Sequence, residues 1–331
     1  MAWIKGEDTM ARAIGTAQEW HGQAVEIAAD ASLDEWRKVS GLDFIVEKTP
    51  LFVQRGAEMV QIKDKFAMMR DDNTLGIFTG RYKAVQPKAI GDFFEKYVLA
   101  DSRFKMDTMG AVKGGRVIWA LAKFHGDNGD SPVIMGQQHE LHALLSTSYD
   151  GTMATRGGAC ATRTVCRNTL QAAAYEPSVI TIRHSADFAL DVIQQQAAAQ
   201  MAKIAESFDG YKKFAESLAM QKMSMEKTHE FLRSLVGVAP DATIENQGLN
   251  IQSKRIVDDL LDSLSLTLAE PGTDEFNAWT ALNAVTRYVD HARSSKRSVQ
   301  GESPEEARLF SAQFGTGAQL KAKAASMLLA A

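Results

Sequence analysis

The chain has 331 residues, 45% of them hydrophobic and 24% charged, with a formal net charge of −4, the balance of a globular protein of about two domains, or of one domain with a long extension. That balance excludes a mainly disordered chain, and 24 glycines with 7 prolines exclude collagen-like or proline-rich repeats. Two cysteines exclude a disulfide framework, and no apolar run approaches the roughly 18 residues that span a bilayer.

Acids at Glu7 and Asp8 stand where a signal peptide would carry bases and then an apolar stretch, so a soluble, cytoplasmic protein is expected. Charge is unevenly spread. Residues 81–185 hold 13 Lys+Arg against 9 Asp+Glu, while the segments before and after are each acidic by four. A surplus of this size suits a local anion-binding surface and falls short of the pI above about 9 of a dedicated nucleic-acid domain.

In chain order, the first 80 residues read as short helices, turns and a few extended pieces. Ser32-Leu33-Asp34-Glu35 predicts a capping box and Gly41 a left-handed helix end. Leu51-Phe52-Val53 and Leu75 to Phe78 predict strands. Pro87 opens a helix in which Ile90, Phe93, Phe94, Tyr97 and Val98 recur at helical spacing. Residues 104–108 alternate as a half-buried strand, the stretch from Gly110 to Gly115 contains a turn, and 116–124 (RVIWALAKF) form an apolar strand. A third strand is expected over 138–149. Asp150-Gly151 signals a hairpin, and 152–161 return as a fourth strand. Residues 162–174 are expected to form a helix, followed by an extended piece at 179–182. After His184-Ser185 the texture turns helical, over roughly 186–207, 211–236, 253–267, 274–294 and 304–329, with a second capping box at Ser303-Pro304-Glu305-Glu306.

Chemical motifs are few. No phosphate-binding loop of the G-x-x-x-x-G-K-[ST] kind occurs. Gly315-Thr316-Gly317 does not follow a strand, which makes helix irregularity or close helix packing its better reading. On a strand, His139 and His142 point to opposite faces and cannot share one ion. Cys166, flanked by Arg163 and Arg167, is either an activated thiol or a small packed residue, and packing is favoured because no orienting carboxylate is specified.

The cations of the middle block are the best functional candidates: Arg81, Lys83, Arg116, Lys123, Arg156, Arg163, Arg167 and Arg183, interleaved with Tyr82 and Trp119. Arg163 and Arg167, four apart on the expected helix, share a face. Such a surface can track a phosphate backbone while an aromatic ring stacks a base. The other reading is a solvated face whose arginines pair with Asp107, Asp150 and Glu176.

Several stretches occur together in one order: Trp20-His21-Gly22; Thr79-Gly80-Arg81-Tyr82-Lys83 with Val85 and Gln86; Gly114 to Ala120; Asp150-Gly151; Val165 to Leu170; Arg183-His184-Ser185; and Asn283-Ala284-Val285-Thr286 with Asp290-His291. Together they resemble the phage/plasmid-like protein family that carries domain of unknown function 932. Ser185 and Arg167 stand where the family pattern has threonine and often glutamine. The resemblance implies a phage, prophage or plasmid setting, with roles in replication, recombination or evasion of host defence. In outline, a helix, a β-meander and a following basic helix are also similar to Rad-type single-strand annealing proteins. Those are ATP-independent, assemble into rings or filaments and hold single-stranded DNA along a basic groove.

The expectation is therefore an α+β fold. An antiparallel β-meander flanked by helices occupies the front half, and a mainly helical back half follows. The domains are residues 1–185, including the basic β-rich block 81–185, and 186–331. The expected function is ATP-independent binding and annealing of single-stranded DNA in recombination or replication, without catalysis, cofactor or metal. Arg81, Lys83, Arg116, Lys123, Arg156, Arg163, Arg167 and Arg183 would contact DNA, and Trp119 or Tyr82 would stack. The expected partners are single-stranded DNA, further copies of the chain in a ring or filament, and a host or phage single-strand-binding protein, with no membrane. The alternative is a phage-encoded interaction protein that regulates replication or counters host defence.

Overall fold

The computed structural model describes residues 10–13, 24–28, 30–125, 133–134, 136–163, 168–171, 180–182, 184, 209–239, 242–243, 250–270, 273, 275–294 and 304–330. The chain gathers into two units that alternate along it. Met1–Gly129, His142–Gly158 and Val179–Ile204 form the first; Asp130–Leu141, Ala159–Ser178 and Ala205–Ala331 form the second. The units exchange within strands, between Leu141 and His142 and between Gly158 and Ala159.

The first unit begins with β1 (Met10–Ala13) and β2 (Ala24–Ile27), which pair in parallel. α1 (Leu33–Val39) carries the expected capping box, Ser32 accepting from the Glu35 amide while Glu35 accepts from the Ser32 amide, and Gly41 takes φ 68°. β3 (Glu47–Arg55), β4 (Glu58–Arg70) and β5 (Asn73–Thr79) make a separate antiparallel sheet. β5 pairs with β4 only over Lys65 to Arg70, so the distal part is a two-stranded ribbon. Its Phe52, Val53, Met59, Val60 and Ile62 are exposed. The thirteen-residue β4 has no counterpart in the sequence reading, because exposed positions on both faces erase the period-two signal.

α2 (Pro87–Phe93) starts at proline as expected and widens into a π-type turn over Phe94–Val98, burying Ile90, Phe94 and Val98. The main sheet follows with β6 (Phe104–Val112), β7 (Val117–Phe124), β8 (Val133–Ile134), β9 (Gln137–Ser148), β10 (Thr155–Arg163), β11 (Asn168–Gln171) and β12 (Ile180–Ile182). Its order is β11-β10-β9-β7-β6-β1-β2, with β8 on β9 and β12 on β10. β6, β7, β9, β10 and β11 are thus neighbours in chain order, with β6–β7 and β10–β11 antiparallel. β7 is buried on both faces, which is why its sequence is a near-continuous apolar run. β6 departs from the half-buried expectation: a register shift between Met106 and Thr108 turns Asp107 inward, and it is 5% exposed.

Within 162–174, the described residues 162–163 and 168–171 are strand and not the expected helix; the others lie outside the described residues. β10 continues to Arg163, and Arg163 lies opposite Asn168 of the antiparallel β11. Thr162, Thr164, Val165 and Thr169 are β-branched, and a strand edge waiting to be paired outweighs their helical spacing.

The second unit is mainly helical: α3 (209–220), α4 (Met225–Leu235), α5 (Ile251–Leu268), α6 (Ala278–Arg287), α7 (Pro304–Phe314) and α8 (Thr316–Leu329). α6 is buried from Ala278 to Thr286 and runs into a π-type turn over Tyr288–Ala292. Two long helices of the sequence reading are broken. The 211–236 segment stops where Met223 donates to the Phe276 carbonyl at 3.0 Å, and Ser224 caps the next helix. The 304–329 segment breaks at Gly315. A Cβ on Gly317 would lie 2.8 Å from Val289, so the glycine permits close helix packing. The expected helix over 186–207 and the capping box at Ser303 lie outside the described residues. Asp290 accepts from Lys321 at 2.8 Å in a buried pair, which gives the Asn283 to His291 stretch a packing role. Among the described residues no helix is long and apolar enough to cross a membrane.

Candidate nucleic-acid interface

Three of the stretches that carry the family pattern meet in the first unit, and two tyrosines join them. The Tyr82 hydroxyl donates to the Ser148 carbonyl at 2.9 Å, and the Tyr149 hydroxyl to the Val85 carbonyl at 2.7 Å. The Tyr149 amide donates to the Arg116 carbonyl at 2.7 Å. The loop after β5, the β6–β7 turn and the β9–β10 hairpin are therefore fastened to one another through buried hydrogen bonds. Burial pushes both phenol pKa values up, so both groups remain protonated donors.

The turns fold this way for local reasons. Lys113, Gly114 and Gly115 are consecutively left-handed, at φ 61°, 67° and 81°, a run that two glycines make accessible. Gly151 takes φ 78°, and the Asp150 carboxylate accepts from the Thr152 amide at 2.9 Å and from its hydroxyl at 2.6 Å.

Tyr82 is enclosed by rings. Phe78 stacks on it at 3.8 Å between centroids and His184 at 4.9 Å. His184 Nε2 lies 3.0 Å from the Thr155 hydroxyl and 3.3 Å from that of Thr147. Burial lowers the imidazole pKa, an effect that the nearby Lys83 backbone opposes.

The candidate cations fall into separate groups. Arg81 and Lys83 are exposed on the fastened loop, and Arg156 is exposed on β10. None of the three has an ion-pair partner among the described residues. Arg116 is half-buried and donates to the Thr74 carbonyl at 3.2 Å. Lys123 lies opposite Lys105 at the other end of β7 from Arg116, roughly 23 Å away at the usual strand rise. The structure does not bring it to the fastened loops. The side chain of Arg163, and Arg167, Arg183 and Cys166 entirely, lie outside the described residues. Arg163 stands at the end of β10 and not on the expected helix.

The stacking rings are corrected as well. Trp119 is 1% exposed and meets Gly110 across the β6–β7 pair, so no base reaches it. Tyr82 is covered by Phe78 and His184.

Sequence reasoning missed three cations beside these loops. Lys48 donates to the Gly80 carbonyl at 2.6 Å and lies over the Phe66 ring. Lys113 stands 4.0 Å from Asp150. Arg70 lies over Phe44 and close beneath Gly115. Of the three, only Lys113, next to Gly114 and Gly115, stands beside a glycine-rich turn in the sequence.

The two histidines of β9 are separated as their spacing requires. His139 Nδ1 is 2.9 Å from the Tyr211 hydroxyl, and His142 Nε2 is 3.5 Å from Asp107. No group of three or more His, Cys, Asp or Glu able to hold a metal occurs among the described residues.

In comparisons with known proteins, the family model described as Domain of unknown function (DUF932) matches residues 74–312. No curated protein and no solved structure matches the chain.

Proposed function

The chain belongs to the family defined by domain of unknown function 932, and we propose that it is an ATP-independent single-stranded-DNA-binding and annealing protein of phage, prophage or plasmid origin. One observation carries the reading: Arg81, Lys83 and Arg156 are exposed without an ion-pair partner among the described residues, and the backbone beside Arg81 and Lys83 is held by Tyr82 and Tyr149. Cations on a fixed backbone hold phosphates at defined spacing without reading sequence. The charge surplus of residues 81–185 agrees with this use. With Tyr82 and Trp119 enclosed, the strand is held through its phosphates and its bases face outward for pairing.

A second reading, of an interaction protein, is favoured by one feature. The distal β3–β4 ribbon exposes Phe52, Val53, Met59, Val60 and Ile62, and a two-stranded ribbon is marginal in water on its own. On the annealing reading this arm joins copies into a ring or filament; on the other it grips a different protein.

Fluorescence anisotropy with unrelated single strands across a salt series, paired with light scattering, tests the proposal. Annealing requires binding that falls steeply with salt and is indifferent to sequence, together with an assembly larger than the 36.2 kDa chain. Absence of binding at low salt removes the annealing reading.

A further inference from the structure

In the second unit, α5, the π-type turn after α6, α7 and the start of α8 enclose a cleft of about 810 Å³, within the roughly 300–1,000 Å³ range of small-molecule sites. Arg255 and Asp259 enter from α5, one helical turn apart. Arg293 enters from the end of the π-type turn and Arg308 from α7. Ser311 and Thr316 add hydroxyls, 3.3 Å from each other.

Two of these arginines are incompletely satisfied. Nη1 of Arg293 and Nε of Arg308 are buried and have no hydrogen-bond partner among the described residues. Asp259 forms no ion pair with any of the three arginines among the described residues. A buried guanidinium N–H without an acceptor is costly, and two in one cleft mark where an acceptor belongs. A π-type turn is itself a frequent companion of functional sites, since its extra residue re-aims the side chains that follow.

The charge identifies the acceptor. Among the described residues that line the cleft, three guanidinium groups against one carboxylate leave two positive charges. A phosphate monoester carries about −2 and three strong acceptor oxygens, and guanidinium forks match phosphate oxygens in pairs. A carboxylate ligand would neutralise only one of those charges. We propose that this cleft binds a free phosphorylated small molecule of nucleotide size. The site is built from residues of the second unit alone and does not rest on the DNA-binding reading.

The test uses the full chain, with isothermal titration and thermal unfolding in the presence of inorganic phosphate, pyrophosphate or ATP. Adenosine serves as the uncharged control and a short thymidine oligonucleotide as the polymeric source of phosphate. Pyrophosphate and ATP should raise the unfolding midpoint dose-dependently, and adenosine should not. Arg293→Gln and Arg308→Gln should each weaken ATP binding tenfold or more. Arg255→Gln, at an exposed position on α5, should weaken it at least threefold with an unchanged midpoint, which decides the matter even if the other two variants fail to fold. The proposal is overturned if no free phosphate compound binds, if only the oligonucleotide binds, or if Arg255→Gln binds ATP as wild type does. Loss of ATP binding in Arg81→Ala with Lys83→Ala would also overturn it, by placing the site elsewhere.

Discussion

The Tyr149 hydroxyl donates to the Val85 carbonyl at 2.7 Å from a side chain with no solvent exposure. This bond ties the β9–β10 hairpin to the segment that follows Arg81 and Lys83. Tyr149→Phe keeps the ring and leaves that carbonyl without its donor. The expected loss is about 1–3 kcal/mol, read as a lower denaturant midpoint at unchanged slope.

Arg81 and Lys83 project into solvent, so their removal should separate binding from stability. The double variant Arg81→Ala with Lys83→Ala should unfold at the wild-type midpoint and bind single strands more weakly. Its salt dependence should be shallower by roughly 0.7 for each phosphate that the variant no longer neutralises. Equal weakening for unrelated strands is expected, and an effect confined to one sequence would contradict phosphate tracking.

Trp119 offers a contrasting outcome. As a 1% exposed ring in the β6–β7 pair, it contributes through packing. Trp119→Ala should cost about 3–5 kcal/mol. Trp119→Phe should recover much of that while binding DNA as wild type does. A folded Trp119→Phe with a large, selective loss of DNA affinity would return the ring to the interface.

Burial holds His184 below its ordinary pKa of 6.5, the nearby Lys83 backbone acting in the opposite direction. Between the lowered value and 6.5 the unfolded chain binds more protons than the folded one, so stability rises with pH. The contribution is complete above 6.5 and is lost as pH falls from there to the folded value. Denaturant titrations of wild type and His184→Gln between about pH 5 and 8 should show the smaller pH dependence in the variant.

Much of the architecture was legible in the chain. RVIWALAKF reads as an apolar strand, Asp150-Gly151 as a hairpin and Ser32 to Glu35 as a helix start, because backbone sterics and local hydrogen bonds act within a few residues. The cations at Arg81, Lys83 and Arg156 were likewise visible as residue types. Tertiary structure decided which of them are exposed and which share a site. Tyr82 and Trp119 look like stacking platforms in sequence, yet one is covered by Phe78 and His184 and the other is in the sheet. Residues 162–174 have helical spacing, but β10 offers an unpaired edge and Asn168–Gln171 joins it. The arginine cleft leaves no trace in the sequence, since Arg255, Arg293 and Arg308 lie on separate elements. Burial, edge pairing and the convergence of distant side chains depend on what the rest of the chain packs against a residue, and local spacing carries no record of that.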